Sequence, residues 1–328
     1  MLPKFTNIGL DKLVGIQKIH KKNSYRVGGV CLFSIILIWG YFRLNLDIKF
    51  LFYVGLILIF IIGFIEDIYQ NTPIFFRLIF IFISAAILVF STDAIIFDAD
   101  IKWINTIFQI PMVPYIFTII GIVVVSNAWN FIDGLNGLSS GLAIIILSLF
   151  GYLAKSEGLY DLSLLSWTIA FSVMGFFIIN ILFGKVFLGD SGALTLGLFI
   201  GWSGVELVTK GQSVSSWVVL FIIIYPATEI IFSFFRRLIG IKKTTGADNL
   251  HFHSLFYFYL SKKLNQNPNS ISGICLLIFG SVPSLYIYLY GLNFYRAIYG
   301  SVIFIFLYTL LYLMLLHYKK NYLFSIKV

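Results

Sequence analysis

The chain has 328 residues, a net charge of +9 at pH 7 and a mean hydropathy of +0.96, with 59% hydrophobic and only 11% charged residues. This composition excludes an ordinary water-soluble enzyme and predicts an all-α, polytopic integral membrane protein. The positive balance suits an anionic leaflet and anionic substrates better than DNA, so we expect a membrane-lipid partner and no nucleic acid.

Ten apolar segments follow one another along the chain, each close to the length that crosses ~30 Å of hydrocarbon. We therefore predict a single membrane domain over 1–328, with a polar N-terminal segment (1–29), a histidine-containing loop (236–263) and a tail (318–328) outside the bilayer. The predicted spans are Val30–Leu46, Phe50–Ile65, Pro73–Phe90, Val113–Ala128, Leu138–Leu153, Leu164–Phe183, Ala193–Val208, Ser216–Phe235, Ile271–Tyr290 and Ala297–His317.

Lysine and arginine are unevenly divided between the two sides that these spans define. Of the 23 basic residues, 17 fall on the side of the two termini. Because cytoplasmic loops carry the excess of positive charge, both termini are predicted to be cytoplasmic. The same topology places the loops at Glu66, Asp133 and Asp190 and the 236–263 loop in the cytoplasm.

The first polar cluster on that side is the acidic pair that closes the second span. Glu66 and Asp67 are adjacent, and two neighbouring carboxylates repel each other unless a cation or a proton lies between them. A solvated acidic loop that merely ends a helix is the alternative interpretation of this segment.

The second cluster, SNAWNFIDGLNGLSSG, is the most informative segment of the chain. Asn127, Asn130 and Asp133 follow one another at intervals of one helical turn, and three glycines leave the backbone open to a ligand. The pattern predicts a site for a polar ligand at the membrane surface.

The third cluster, KVFLGDSGALTLG, places Asp190 at the start of a helix, where backbone amides can meet a phosphate. The fourth, RRLIGIKKTTGADNLHFHSLF, begins with a basic run that is typical of a juxtamembrane anchor. His251 and His253 follow, and their alternate spacing lets both rings face one anion or metal if the segment is extended. Ionisable groups at the membrane edge of apolar helices are functional candidates.

The predicted topology brings all four clusters to one membrane face. Carboxylates, amides, histidines and lysines without thiolate ligands are typical of a hard-cation site that handles phosphates, and Mg²⁺ is the natural ion, with Mn²⁺ as its alternative. The adjoining bilayer indicates that one substrate is a lipid.

In this order the four clusters resemble the polyprenyl-phosphate N-acetylhexosamine-1-phosphate transferase family. NAWNFIDGLNGL and FLGDSG are the most specific parts, QKIHKKNSYRVGG is a lesser one, and the resemblance runs from Asp11 to about Leu255. It implies transfer of an N-acetylhexosamine 1-phosphate from a UDP-sugar to undecaprenyl phosphate with release of UMP. That reaction would start O-antigen or teichoic-acid-type synthesis at the cytoplasmic face of the bacterial inner membrane.

The resemblance also implies roles for individual residues. Asp190 becomes the metal ligand, and Asp67 a second ligand that activates the lipid phosphate. Phe187 matches the ring on which uracil stacks, and Asn136 matches a residue that hydrogen-bonds the base. The remaining candidates would line the nucleotide and metal pocket or approach the diphosphate and sugar: Glu66, Asn127, Asn130, Asp133, Lys21, His251 and His253.

The chain departs from the family pattern at four positions. Glu66 stands where an aspartate is usual, Asn136 where many members have Asp, Ser254 where a further histidine is common, and Glu229 where PxxD is common. These departures bear most on the sugar pocket. The helix that usually precedes the Asp11 motif is absent from the sequence, so either the chain starts further upstream or this member does without it.

Several alternatives stay open at this point. The favoured mechanism is a single in-line displacement, and a covalent aspartyl intermediate is the other. An inactive scaffold would normally lose one of Asp67, Asp133 or Asp190, and all three are present. An anionic-solute transporter would set its polar groups near the midplane and often show a repeated half. A homodimer is compatible with the sequence.

Overall fold

The computed structural model describes residues 10–11, 24–26, 28–43, 50–238 and 250–325. Within these ranges the chain forms thirteen helices and three short strands. The helices are α1 (Gly28–Arg43), α2 (Phe50–Tyr69), α3 (Ile74–Thr92), α4 (Lys102–Phe108), α5 (Val113–Ile132), α6 (Leu138–Ser156), α7 (Tyr160–Phe183), α8 (Gly189–Lys210), α9 (Ser216–Ile222), α10 (Ile224–Leu238), α11 (Phe252–Ser261), α12 (Pro268–Tyr290) and α13 (Phe294–Ser325), and the strands are β1 (Leu10–Asp11), β2 (Ser24–Arg26) and β3 (Val186–Phe187).

The all-helical, multi-pass architecture predicted from composition is confirmed. Among the described residues, eight helices are long and apolar enough to cross a membrane. They are α2, α3, α5, α6, α7, α8, α12 and α13. Helix α1 has 16 residues and is shorter than these, and the end of its predicted span lies outside the described residues.

The predicted span Ser216–Phe235 is divided into two helices in the structure. The structure has two helices here, α9 and α10, which meet at an angle of 80° and count as a ninth span only if the bent pair crosses as one. Pro226 explains the break, because a proline inside one long helix would remove a backbone hydrogen bond and clash with the preceding turn. With the helix restarting at Ile224, Pro226 lies in the first turn, where its missing N–H costs nothing.

Helix α8 is the central element of the bundle. Almost every residue from Gly189 to Leu207 is buried, and the helix packs against α1, α2, α5 and α6. Glycines along it allow this close packing, as they do in other membrane bundles. A Cβ at Gly197, for example, would lie 2.7 Å from the Cβ of Trp129 on α5.

A small sheet lies beside the start of α8. Strand β2 pairs antiparallel with β1 and parallel with β3, in a register that places Arg26 opposite Phe187. The backbone N–H of Gly29 then donates to the carbonyl of Leu188 at 2.9 Å. The sheet therefore ties the chain before α1 to the turn that begins α8.

Candidate functional site

The carboxylate of Asp67, at the end of α2, caps the start of α8. Its Oδ1 accepts the backbone N–H of Asp190 at 2.8 Å, and its Oδ2 accepts the backbone N–H and the hydroxyl of Ser191 at 3.0 and 2.6 Å. An anion at a helix N-terminus satisfies free N–H groups and is stabilised by the helix dipole. The sequence predicts that backbone amides at the start of this helix can meet a phosphate, and in the structure the amides of Asp190 and Ser191 donate to Asp67.

Two glycines make this contact feasible. A Cβ at Gly63 on α2 would lie 2.5 Å from the Cα of Ser191, so only glycine lets the two helices approach so closely. Gly189 has a φ of +73°, which favours glycine, and its Cβ would lie 2.6 Å from the carboxylate oxygens of Asp67. The FLGDSG segment is thus shaped to receive a carboxylate.

Two arginines complete an acid–arginine cluster of Asp67, Asp190, Arg26 and Arg77. Arg77, in the first turn of α3, donates from Nη1 to Oδ2 of Asp190 at 2.7 Å. Nη1 of Arg26 lies 3.8 Å from Oδ1 of Asp67 and 3.9 Å from Oδ1 of Asp190. Two guanidinium groups and two carboxylates therefore share one half-buried site at the ends of apolar helices.

Asp133 ends α5 within electrostatic range of this cluster. Its Oδ1 accepts the hydroxyl of Ser139. The pKa of Asp133 is raised to about 7, first by burial and then by the charges of Asp190 and Asp67, while the Ser139 hydrogen bond lowers it. Such crowding of carboxylates is relieved by a cation.

The two histidines stack on each other, and the segment that carries them is extended only in part. His251 has an extended backbone as the N-cap of α11, and His253 lies in the first turn of that helix. Their ring centroids are 5.4 Å apart and nearly parallel, at 9°. A Cβ at Gly134, next to Asp133, would lie 2.6 Å from Nε2 of His253, so the histidine pair abuts the loop that carries Asp133.

Glu229, on α10, holds the start of α11. Its Oε1 accepts the backbone N–H of Phe252 at 3.0 Å and lies 3.1 Å from Nδ1 of His251, while its Oε2 accepts the hydroxyl of Tyr308 at 2.8 Å. From the sequence alone, Glu229 is only a position at which the chain departs from the family's PxxD pattern. The structure makes it the group that orients the histidine pair.

Burial changes the ionisation of His253, the second imidazole of the pair. The pKa of His253 is lowered to about 4 by burial, and the Glu229 carboxylate offsets part of that shift. His253 is therefore neutral near pH 7.

The basic run before the histidines does not behave as a simple anchor. Arg236 is buried, and its Nη1 donates to the carbonyl of Leu250 and, at 3.0 Å, to the hydroxyl of Tyr312. The guanidinium of Arg237 lies 5.8 Å from the ring centroid of Phe131. Lys242 and Lys243 lie outside the described residues.

The other predicted site residues are distributed more widely. Glu66 turns to the loop before α3, where its Oε2 accepts the N–H of Thr72 at 2.8 Å. Asn136 is buried against α12, with its Nδ2 3.3 Å from the Ser270 hydroxyl. Asn127 donates to the carbonyl of Val123 at 2.9 Å on its own helix.

For three further candidates the predicted roles stay predictions. Asn130 is half-buried in the last turn of α5, and Phe187 is half-buried on β3 opposite Arg26. Lys21 lies outside the described residues.

Sequence reasoning missed the two arginines as site residues. Arg77 enters only through the charge balance, and Arg26 only as part of the 17–29 motif. A signal did exist, because an arginine three residues into an otherwise apolar helix is expensive unless it has a partner. The sequence could not show that the partner is Asp190.

The site offers oxygen ligands of the kind that Mg²⁺ takes when it is shared with substrate. Among the described residues there is no group of three or more histidine, cysteine or acidic side chains arranged to hold a metal unaided. Mg²⁺ usually takes one or two carboxylates together with substrate phosphates and water, rather than an all-protein cage. One oxygen of Asp190 accepts from Arg77 and one oxygen of Asp133 accepts from Ser139, which leaves each residue a second carboxylate oxygen for a cation, whereas both oxygens of Asp67 accept hydrogen bonds.

Comparison with known proteins gives consistent matches. The model of glycosyl transferase family 4 matches residues 49–208. A probable undecaprenyl-phosphate N-acetylglucosaminyl 1-phosphate transferase of Bacillus subtilis is 29% identical over 256 residues, which cover 76% of this chain and 70% of the relative. An undecaprenyl-phosphate alpha-N-acetylglucosaminyl 1-phosphate transferase of Thermotoga maritima is 32% identical over 240 residues, covering 73% and 70%.

A second group of relatives matches over a shorter length. A phospho-N-acetylmuramoyl-pentapeptide-transferase of Listeria monocytogenes is 29% identical over 156 residues, covering 48% of this chain and 45% of the relative. The similarity to the N-acetylglucosaminyl 1-phosphate transferases therefore extends over more of the chain.

Proposed function

Because the chain belongs to glycosyl transferase family 4, we propose that it transfers an N-acetylhexosamine 1-phosphate from a UDP-sugar to undecaprenyl phosphate and releases UMP. Two relatives that align over about three quarters of the chain are named for N-acetylglucosaminyl 1-phosphate transfer with undecaprenyl phosphate. UDP-N-acetylglucosamine is therefore the first donor to test.

The observation that carries the proposal is the acid–arginine cluster at the ends of apolar helices. Arg77 and Arg26 lie within 3.9 Å of Asp190, and Asp133 is close enough for the charge of Asp190 to raise its pKa. A site with both guanidinium and carboxylate groups can bind phosphates directly and through a cation. Its position lets a lipid phosphate arrive from the bilayer and a nucleotide from water.

The reaction is an in-line displacement at phosphorus. An oxygen of the lipid phosphate attacks the β-phosphorus of the UDP-sugar, the bond to the oxygen that bridges the two phosphates breaks, and UMP leaves with that electron pair. Such transfers depend mainly on positioning and on neutralising charge. In this proposal Arg26 and Arg77 hold phosphate oxygens, and the neutral His253 and its partner His251 face the sugar side of the site.

Asp190 and Asp133 are the residues proposed to hold Mg²⁺, with Mn²⁺ as the alternative ion. When bound, the ion would neutralise the diphosphate and stabilise the leaving group. Asp67 contributes by fixing the start of α8, which sets the position of Asp190. Activation of the lipid phosphate by Asp67 stays a prediction, and the pH–rate profile of Asp67→Asn tests it.

We also propose that the cluster faces the cytoplasm of a bacterium and that the product starts an envelope polysaccharide of the O-antigen or teichoic-acid type. The supporting observation is the positive charge on the loops at that end of the helices.

The test uses the full chain purified in detergent, with undecaprenyl phosphate, Mg²⁺ and a panel of UDP-N-acetylhexosamines. We expect UMP release that requires both the lipid and the metal. Asp190→Asn should reduce the rate by about a hundredfold or more, because the site loses a preorganised charge. Asp98→Asn, at an exposed aspartate in the loop before α4 at the other end of the bundle, is the matched control. Full activity of Asp190→Asn would remove the assignment of the site.

A further inference from the structure

A second polar site lies at the end of the bundle opposite the acid–arginine cluster. A cavity of about 510 Å³ opens between the beginnings of α2 and α7 and the ends of α3 and α8. Phe52, in its wall, and Asp67 are 15 residues apart on α2, which corresponds to about 22 Å at ~1.5 Å per residue. The cavity is thus separate from the cluster, and a ligand bound in it is independent of the proposed transfer reaction.

Glu206 gives this cavity a buried acid. The residue is only 7% exposed, and its Oε1 accepts a hydrogen bond from Nζ of Lys210 one turn further along α8. Its Oε2 is buried and has no hydrogen-bond partner among the described residues. A buried carboxylate oxygen without a donor is costly, so the cavity presents an acceptor that a ligand with N–H groups would satisfy.

Charged side chains at the rim of the cavity indicate which charges a ligand would carry. Asp161, in the first turn of α7, and Lys210 both line the cavity and are exposed, whereas Glu206 lies deeper. Two carboxylates and one ammonium group therefore surround the same space. This set complements a zwitterion whose ammonium group meets the carboxylates and whose phosphate meets Lys210.

Aromatic rings form part of the cavity wall, and contacts with neighbouring side chains hold them in position. The rings of Phe52 and Trp202 lie 4.6 Å apart, and Tyr53 packs edge-on against Phe52 at 5.5 Å. The indole N–H of Trp202 donates to the hydroxyl of Thr92 at 3.0 Å, which holds the ring in position. Tryptophan and tyrosine at the end of a membrane span lie at the level of the lipid headgroups.

We propose that this cavity binds the headgroup of a phosphoethanolamine lipid from the leaflet opposite the acid–arginine cluster. The primary ammonium supplies N–H donors for Oε2 of Glu206 and for Asp161, the phosphate pairs with Lys210, and the glycerol and first acyl carbons contact Phe52 and Trp202. A phosphocholine headgroup has the same charges but no N–H donor, and a phosphoglycerol headgroup has no cation for the two carboxylates.

The experiment measures lipid binding to the purified full chain by native mass spectrometry, with phosphoethanolamine, phosphocholine and phosphoglycerol lipids of identical acyl chains. The phosphoethanolamine lipid should bind about tenfold more tightly than the phosphocholine lipid, the usual effect of a charge-assisted hydrogen bond. Glu206→Gln should remove most of that preference. Lys210→Met should weaken both lipids alike, since both carry the phosphate, and Lys155→Met, an exposed lysine near the end of α6, should change neither.

Melting temperatures of all variants establish that each is folded. Because Asp161 is exposed, Asp161→Asn tests the same preference without disturbing the bundle, and it should reduce the preference in part. Equal binding of the phosphoethanolamine and phosphocholine lipids by the unmodified chain would overturn the proposal, as would an unchanged preference in folded Glu206→Gln and Asp161→Asn. Soluble phosphoethanolamine that binds as tightly as the lipid would overturn the assignment to a lipid.

Discussion

The carboxylate of Asp67 accepts three hydrogen bonds at the start of α8, which makes it a structural as well as a chemical residue. The substitution Asp67→Asn keeps the shape of the side chain but leaves only one acceptor oxygen and no negative charge at the start of α8. We expect the free energy of unfolding to fall by about 2 kcal/mol, the range for hydrogen bonds to a charged group, and the transfer rate to fall with it. Thermal melting and UMP release measure the two effects.

Glu66→Gln is the matched control for that substitution. Its Oε2 accepts the N–H of Thr72 at the loop before α3, and an amide oxygen can replace it. An unchanged melting temperature in Asp67→Asn together with an altered pH–rate profile would contradict the capping role and favour direct activation of the lipid phosphate.

His253 makes the stability of the protein depend on pH. Burial lowers its pKa from 6.5 to about 4, so between these values the unfolded chain binds a proton that the folded chain does not. The free energy of unfolding therefore decreases as the pH falls from about 6.5 to about 4, by about 3 kcal/mol at most. Melting curves across this range should show that loss, and His253→Gln should flatten it.

The exposed His317 provides the comparison for the pH experiment. His317→Gln should keep the full pH dependence, because this ring is exposed near the end of α13. An identical pH dependence in His253→Gln and the unmodified chain would assign the effect to other groups.

The start of helix α8 depends on the backbone conformation of Gly189. Its φ of +73° is strained for other residues, and an added Cβ would lie 2.6 Å from the Asp67 oxygens. Gly189→Ala should therefore displace Asp67, lower the melting temperature and reduce activity more than tenfold, about the cost of one charge-assisted hydrogen bond. Gly175→Ala on α7, where a Cβ meets nothing within 4 Å, should leave both unchanged. Equal melting temperatures of the two variants would contradict the role of Gly189.

Long apolar helices were predictable from the sequence, whereas their breaks and pairings were not. Hydropathy identified α2, α3 and α5 to within a few residues, because length and composition alone determine a membrane span. The 80° bend between α9 and α10 depends on how Pro226 is accommodated, which hydropathy does not record.

The acidic residues of the site could also be predicted from the sequence, but their arginine partner could not. Asp67, Asp133 and Asp190 stood out because carboxylates are rare in apolar chains, and the structure brings them to one end of the bundle. Arg77 did not stand out as their partner, since its contact with Asp190 joins residues 113 positions apart. Long-range pairings of this kind are set by helix packing.

For the molecule as a whole, the orientation in the membrane is the property to test. In a chain with Cys31 and Cys275 replaced by serine, Asn265→Cys lies in the loop before α12 at the end of the bundle that holds the cluster, and Lys102→Cys lies at the other end. We expect a membrane-impermeant maleimide to label Lys102→Cys in intact cells and Asn265→Cys only after lysis. The opposite result would reverse the proposed topology.

The most direct test of the proposed reaction follows the β-phosphorus of the donor. UDP-N-acetylglucosamine labelled at that atom is incubated with undecaprenyl phosphate, Mg²⁺ and the purified chain, and the lipid and water phases are separated. We predict that the label moves into the lipid in equal amount to the UMP released, and that Asp190→Asn prevents both. Sugar in the lipid phase with the label left in UDP would mean transfer of the sugar alone, and would contradict the proposed transfer of a sugar phosphate.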